Sequence, residues 1–210
     1  MSVLGLTDEV EGFLETLLRE MEDFAALHHV PIINERGRQA FLQVVQKAQP
    51  HRVLEIGTAI GYSSLLLAMN GAEDIAITTL ELSDERIRTA QGYIDRSAYA
   101  DRIRIIGGDA AENLTKLQLT GQKFDFVFID AAKGQYVDYF HKIQPMLTDN
   151  ATILADNVLF RGYVKGDVPT PRRFKTIVKR LREYIGLVSQ PPYVTEILEN
   201  GDGLAVTRRV

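Results

Sequence analysis

The stretch "VLEIGTAIGYSS", residues 53–64, predicts a buried strand, a tight turn with two glycines and the start of a helix. The strand ends at Glu55, and Gly57 and Gly61 enclose the turn. Glycine lets a backbone approach a ligand closely, and ligands in α/β sheets bind beyond the carboxyl ends of the strands. The stretch therefore predicts an α/β fold with a ligand site at this turn.

The same order of strand and helix repeats along the chain. Five apolar strands separated by helical patterns predict a mostly parallel sheet with helices on both faces. Two helices are predicted ahead of them, at residues 7–28 and 35–48, and the stretches "YVTEIL" and "GLAVTRR" predict a C-terminal antiparallel hairpin. The five strands are predicted at residues 51–57, 74–82, 102–110, 124–130 and 151–157.

The composition excludes several kinds of protein. The 210 residues include no cysteine, which excludes disulfides, thiolate metal sites and a cysteine nucleophile. The first residues lack the basic start and apolar run of a signal peptide, and no run approaches the roughly 20 apolar residues of a membrane span. We expect a cytoplasmic, single-domain protein with N-terminal helices in 1–48, a binding core in 51–157, and a basic helix and hairpin in 158–210.

Acidic residues at three strand ends predict a cofactor site. Glu55 would suit a cationic ligand, and the spacing E-x-G-x-x-x-G differs from the G-x-G-x-x-G of dinucleotide-binding proteins. Glu81 lies 24 residues after Gly57 and suits ribose hydroxyls, while Asp109 and Ala110 could line an adenine pocket. S-adenosylmethionine matches this set best. The alternative is a structural glycine turn with solvated carboxylates.

A second group of polar residues ends the fourth and fifth predicted strands. Asp130 follows "VFI", and Asp156 and Asn157 follow "ILA". The tips of neighbouring parallel strands lie close together, and two carboxylates with an amide oxygen suit Mg²⁺ or Mn²⁺. For either aspartate alone, the alternative is a helix cap or a solvated strand end.

Lys133 follows Asp130 by three residues and is the candidate general base. It could take a proton from a substrate hydroxyl that a bound metal makes more acidic. The alternative is a surface lysine paired with Asp138. Tyr136 is expected to pack in the core or to form part of a pocket wall.

The charge of the chain is unevenly distributed. Residues 161–182 carry a net charge of +7, the rest of the chain carries −11, and the whole chain carries −4. A local basic block on an acidic protein suggests a local anionic partner. The alternative is a solvated helix face.

These motifs together resemble a known family. "VLEIGTAIGYSS", "TTLEL", "GGDA", "VFIDAAKGQY" and "LADNVLFRG" are similar to the cation-dependent O-methyltransferases, the group of catechol and caffeoyl-coenzyme A methyltransferases. The resemblance implies a seven-stranded Rossmann-like fold, a homodimer, Lys133 as the general base, and metal ligation by Asp130, Asp156 and Asn157. It implies S-adenosylmethionine contacts at Ile33, Glu55, Gly57, Ser63, Glu81, Ala110 and Asp130.

A closer resemblance extends over nearly the whole chain. "HHVPI", "DNVLFRGYV", the "PRR" helix and "GDGLAV" are similar to the bacterial tRNA 5-hydroxyuridine methyltransferases, which implies methylation of the wobble base to 5-methoxyuridine. A small catechol-like phenol is the alternative substrate, because it offers the same vicinal oxygen pair. Two further alternatives are a nucleotide-binding oxidoreductase and a non-catalytic RNA-binding module. The expected nucleic-acid contacts are Arg161, Lys165, Arg172, Arg173, Lys175 and Lys179.

Overall fold

Apolar runs form the strands and amphipathic runs form most of the helices, as the sequence pattern predicts. The computed structural model describes residues 8–199 and 201–209, so Thr7, in the first predicted helix, and Asn200, in the hairpin turn, lie outside the described residues. The strands are β1 Arg52–Ile56, β2 Ala76–Glu81, β3 Ile103–Gly107, β4 Phe124–Ile129, β5 Leu147–Ala155, β6 Tyr193–Leu198 and β7 Leu204–Arg209. The α-helices are α1 Asp8–His28, α2 Glu35–Ala48, α3 Tyr62–Asn70, α4 Asp84–Arg96, α5 Ala110–Gln118, α6 Tyr136–Ile143 and α7 Lys175–Val188. Within the described ranges, none of these helices is long and apolar enough to cross a membrane.

The strands form one sheet in the order β3-β2-β1-β4-β5-β7-β6. Strands β1 to β5 run parallel, while β7 pairs antiparallel with both β5 and β6. The chain order reverses between β1 and β4, and this reversal is where α/β sheets bind ligands. The seven-stranded, mostly parallel sheet with a C-terminal antiparallel hairpin confirms the predicted fold class.

Helices cover both faces of the sheet and bury it from both sides. On one face α1 to α4 pack on the sheet, where the Phe41 ring lies 4.9 Å from the Phe128 ring. On the other face α5 to α7 pack, where the rings of Tyr136 and Tyr184 lie 5.5 Å apart. Burying one such side chain contributes about 1.5–3 kcal/mol, which explains why the central strands are apolar on both faces.

Gly57 brings the tips of β1 and β4 into close contact. Its φ is +105°, and a Cβ atom at this position would lie 2.1 Å from the backbone oxygen of Asp130. Only glycine fits such an approach without moving one of the two strands. The glycine of the opening motif therefore fixes the distance between the two halves of the site described below.

Several predicted boundaries differ from the structure, among them the end of β3, which lies at Gly107 and not at Ala110. Strand β5 begins at Leu147, not at Ala151, and takes in the polar residues 148–150. The irregular register between Phe124 and Phe126 accommodates this extension. Helix α6 ends at Ile143 and passes into a 3₁₀ turn that contains Pro145, because proline cannot donate the next helical hydrogen bond.

Candidate active site

The carboxyl ends of β1, β2, β4 and β5 surround a cavity of about 440 Å³. The loop between α1 and α2, at residues 31–34, forms another wall of this cavity. Pockets of about 300–1,000 Å³ are typical of small-molecule and cofactor sites. Nine of the predicted site residues line the cavity: Ile33, Gly57, Ser63, Glu81, Ala110, Asp130, Lys133, Asp156 and Asn157.

Glu81 holds the loops on the cofactor side of the cavity. One carboxylate oxygen accepts hydrogen bonds from the backbone N–H groups of Leu82 (3.0 Å) and Ser83 (2.9 Å), and the other accepts from Ala59 (2.9 Å). A carboxylate offers about four acceptor directions, so one remains for a ligand. The predicted bidentate contact with a ribose would require Glu81 to give up one of these backbone bonds.

Asp109 and Ala110 begin helix α5 beside the cavity. The Asp109 carboxylate caps the helix by accepting from the Glu112 N–H at 3.0 Å. Both residues also line the cavity, so Asp109 caps the helix and lies at the predicted pocket position. Gln135 and Tyr139 complete this wall, and the Tyr139 hydroxyl donates to the Gln135 side chain at 2.5 Å.

Glu55 lies behind the cavity wall and does not line it. Its side chain is fully buried, and its two carboxylate oxygens accept hydrogen bonds from the hydroxyls of Ser63 and Ser64 at the start of α3. Burial raises the pKa of Glu55 to about 7, although the two serine hydroxyls oppose that shift. A direct contact between Glu55 and the cofactor stays a prediction. In the structure this residue positions Ser63, which does line the cavity.

Replacing Glu55 with glutamine is expected to stabilise the ligand-free protein above pH 7. The pKa is raised from 4.5 to about 7 on folding, so the stability that Glu55 contributes is present below pH 4.5 and is lost as the pH rises through 7. The ionised group then costs about 3 kcal/mol, and neutral glutamine avoids that cost. Urea unfolding at pH 5.5 and pH 8 measures the effect. Equal pH dependence in the two proteins would contradict the assignment.

The predicted metal ligands converge at the tips of β4 and β5. The Asp156 N–H donates to the Ile129 carbonyl at 3.0 Å, which places Asp156 beside the residue that follows Ile129, Asp130. Asn157 has a left-handed backbone with a φ of 54°, an uncommon conformation for a residue other than glycine. Asp130, Asp156 and Asn157 all line the same cavity.

The chemistry of these side chains fits a hard divalent cation. Burial and, after it, the neighbouring carboxylate of Asp130 raise the pKa of Asp156 to about 7. Burial also raises the pKa of Asp130, with Lys133 opposing that shift. The described residues that line the cavity include no histidine or cysteine, so the donors are oxygens, which favours Mg²⁺ or Mn²⁺. A cation here would relieve the repulsion between the two carboxylates.

Lys133 faces the predicted metal ligands. Its Nζ lies 3.7 Å from a carboxylate oxygen of Asp130, and its side chain is 21% exposed. The alternative partner, Asp138, pairs with Lys142 at 3.6 Å instead. The lysine is therefore placed at the cavity and not in a surface ion pair with Asp138.

The sequence did not indicate a hydrogen-bond network that ties the N-terminal helices to the cavity. Arg38 of α2 donates to the Glu22 carboxylate of α1 at 2.7 Å and to the Tyr62 hydroxyl at 2.9 Å. The Tyr62 hydroxyl donates to Glu22 at 2.5 Å, and burial raises the pKa of Tyr62 to about 12. Because Tyr62 lines the cavity, these contacts connect α1 and α2 to the cavity wall. The three residues lie far apart in the chain, so no local motif could have revealed them.

The predicted nucleic-acid contacts lie outside the cavity, on the segment that follows the metal residues. Arg172, Arg173, Lys175 and Lys179 are exposed, and none has a carboxylate partner among the described residues. The Arg161 and Arg173 guanidiniums lie 5.8 Å and 4.6 Å from the centre of the Phe174 ring. Lys165 instead pairs with Glu199, and Arg182 donates to the backbone of residues 163 and 164.

Comparisons with known proteins point to one family. Residues 8–210 match the family model described as O-methyltransferase. A catechol O-methyltransferase of Mycobacterium tuberculosis is 34% identical over 141 residues, which cover 67% of this chain and 62% of that protein. A catechol O-methyltransferase of Niastella koreensis is 32% identical over 168 residues, which cover 75% of this chain and 76% of that protein.

A solved structure is similar over nearly the whole chain. The O-methyltransferase from Bacillus cereus, solved in complex with SAH, is 25% identical and has a TM-score of 0.81. The match covers 99% of this chain and 94% of that chain. The fold described above is therefore that of a methyltransferase.

Proposed function

The chain belongs to the O-methyltransferase family and is an S-adenosylmethionine-dependent enzyme. From this premise, we propose that it methylates 5-hydroxyuridine at the wobble position of tRNA with the help of Mg²⁺. The observation that carries the proposal is the convergence of Asp130, Asp156, Asn157 and Lys133 in one cavity. Two carboxylates, an amide and an amine match what deprotonation of a substrate with two neighbouring oxygens requires.

The residues of the cavity divide the chemical work. A divalent cation held by Asp130, Asp156 and Asn157 would make a substrate hydroxyl more acidic, and S-adenosylmethionine would supply the methyl group. Lys133 accepts the hydroxyl proton at Nζ, since it lies at the edge of the metal-binding group. Gly57 and Glu81 line the same cavity as Asp130 and would hold the cofactor there, so that the methyl donor and the acceptor oxygen would meet near this carboxylate.

Exposed cations beside the cavity support an RNA substrate. The chain leaves β5 at the predicted metal residues and leads directly to Arg161 and then to the 3₁₀ turn Arg172–Phe174 and helix α7. Cations without a carboxylate partner remain available for phosphates, and each such contact adds salt-dependent affinity. Chemistry on a base requires an exposed base, which an anticodon loop offers.

A small phenol is the second candidate substrate. The two bacterial relatives named above are catechol O-methyltransferases, and a catechol has the same vicinal oxygen pair as 5-hydroxyuracil. Both substrates would use the same metal ligands and the same base. The remainder of the substrate separates them, because a phenol has no phosphates for the basic surface.

Methylation of defined substrates tests the proposal. Purified protein with S-adenosylmethionine and Mg²⁺ is incubated with tRNA from a strain that lacks the gene, and with catechol in a parallel reaction. Mass spectrometry of the tRNA nucleosides is expected to detect 5-methoxyuridine. Methylated catechol together with unchanged tRNA would reject RNA as the substrate.

Replacing Lys179 with glutamine is expected to weaken tRNA binding. It should also reduce the slope of the logarithm of the binding constant against the logarithm of salt concentration by about one unit. The matched control is the neighbouring substitution Arg180→Gln, because the Arg180 guanidinium is already paired with Glu183 at 2.8 Å. Fluorescence titration of tRNA at several salt concentrations measures both effects. An unchanged slope for Lys179→Gln would remove this residue from the interface.

A further inference from the structure

Tyr136 joins the two strand tips that carry the predicted metal ligands. Its hydroxyl lies 3.0 Å from the backbone oxygen of Asp156 and 3.3 Å from the backbone oxygen of Ile129. The regular pairing of β4 with β5 ends at Ile129 and Ala155, immediately before Asp130 and Asp156. The last backbone bond between the two tips runs from the Asp156 N–H to the Ile129 carbonyl, and the hydroxyl adds a second connection at the same point.

The position of Tyr136 in the chain extends this connection to the candidate base. Tyr136 begins α6 directly after the 3₁₀ turn Lys133–Gln135. Its side chain is fully buried and does not line the cavity. Tyr136 thus bonds to β4 and β5 through its hydroxyl and connects to the turn that carries Lys133 through its backbone. It does so from outside the cavity.

We propose that Tyr136 is a positioning residue for the metal site, whose hydroxyl fixes the tip of β5 against the tip of β4. Asp130 lies on one of these tips, and Asp156 and Asn157 lie on the other, so this bond acts together with the backbone bond between Asp156 and Ile129 to set their separation. The inference rests on the proposed metal dependence. Groups that orient metal ligands typically change metal affinity about 10- to 100-fold when they are removed.

The neighbouring Tyr184 offers a matched control. Its ring packs edge-on against the Tyr136 ring at 5.5 Å, and it is also fully buried. In contrast to Tyr136, its hydroxyl has no hydrogen-bond partner among the residues that the structure describes. Tyr136→Phe and Tyr184→Phe therefore remove the same atom from the same part of the core, but only the first removes a bond to the strand tips.

Titration of Mn²⁺ into the metal-free, full-length protein by calorimetry tests the proposal. Tyr136→Phe is expected to raise the Kd for Mn²⁺ about tenfold or more, because the strand tips lose a shared hydrogen bond. Tyr184→Phe should stay within about twofold of the wild type, as should the Kd for S-adenosylmethionine in both variants. In activity assays, Tyr136→Phe should need more Mg²⁺ for half-maximal rate yet approach the wild-type kcat when Mg²⁺ saturates.

Two outcomes separate this proposal from the proposed function. If the wild type binds Mn²⁺ and Tyr136→Phe binds it equally tightly, the positioning role is wrong and the metal site stands. If the wild type binds no Mn²⁺, both are wrong. Thermal unfolding of the two variants is measured alongside, since a fall in stability shared by both would reflect packing alone.

Discussion

Replacing Lys133 with alanine should lower kcat for methyl transfer by about 100- to 10,000-fold, the range typical of a lost general base. The Nζ atom lies 3.7 Å from a carboxylate oxygen of Asp130. Among the described residues that line the cavity, Lys133 is the one lysine, so no other lysine can take its place there. Single-turnover kinetics with tRNA measure the chemical step. The Kd for S-adenosylmethionine should stay within about twofold, because cofactor binding does not depend on the proton transfer.

Lys142 gives the matched control for this prediction. It also pairs with an aspartate, Asp138, at 3.6 Å, but it does not line the cavity. Lys142→Ala is expected to retain the wild-type kcat. A normal rate for Lys133→Ala would remove Lys133 from the mechanism, and an equal loss in both variants would attribute the effect to lost stability.

Removal of the divalent cation has the second large expected effect. Excess EDTA should abolish methyl transfer, and Mg²⁺ in excess of the chelator should restore it. Asp156→Ala should lower activity by about 1,000-fold at a Mg²⁺ concentration that saturates the wild type, since charge stabilisation by a metal contributes several kcal/mol and each 1.36 kcal/mol is tenfold in rate. Initial rates across a Mg²⁺ titration measure this loss.

Asp149 provides the control on the same strand. It lies at the other end of β5, is 99% exposed and pairs only weakly with Arg209 at 3.8 Å. Asp149→Ala should therefore leave both the rate and the Mg²⁺ dependence unchanged. Full activity of the wild type in excess EDTA would contradict the metal role of Asp156.

Local patterns predicted the fold because the central strands β1, β4 and β5 contain apolar runs that are followed directly by a glycine or an aspartate. Helix α3 begins at Tyr62, inside the opening motif, as the sequence predicts, and Ser83 caps α4 by accepting from the Arg86 N–H. The start of β5 was missed because residues 148–150 are polar, and two of them, Asp149 and Asn150, are exposed. They belong to the strand because Leu147 pairs with Phe124 across an irregular register, and the local pattern does not contain that long-range contact.

The site was predictable where its residues follow strand ends and unpredictable where they act through one another. The cavity brings together the predicted residues from four strand tips because parallel strands end at one edge of a sheet. Glu55, in contrast, turns away from the cavity to accept from two serines. Asp202, whose charge also raises the pKa of Asp156, comes from the turn before β7 and has no sequence motif that links it to the site.

Diffraction from crystals grown with Mn²⁺ and S-adenosylhomocysteine tests the central claim most directly. The account predicts one anomalous peak about 2 Å from side-chain oxygens of Asp130, Asp156 and Asn157, next to the bound cofactor product. Density for S-adenosylhomocysteine in the cavity without an anomalous peak at these oxygens would contradict it.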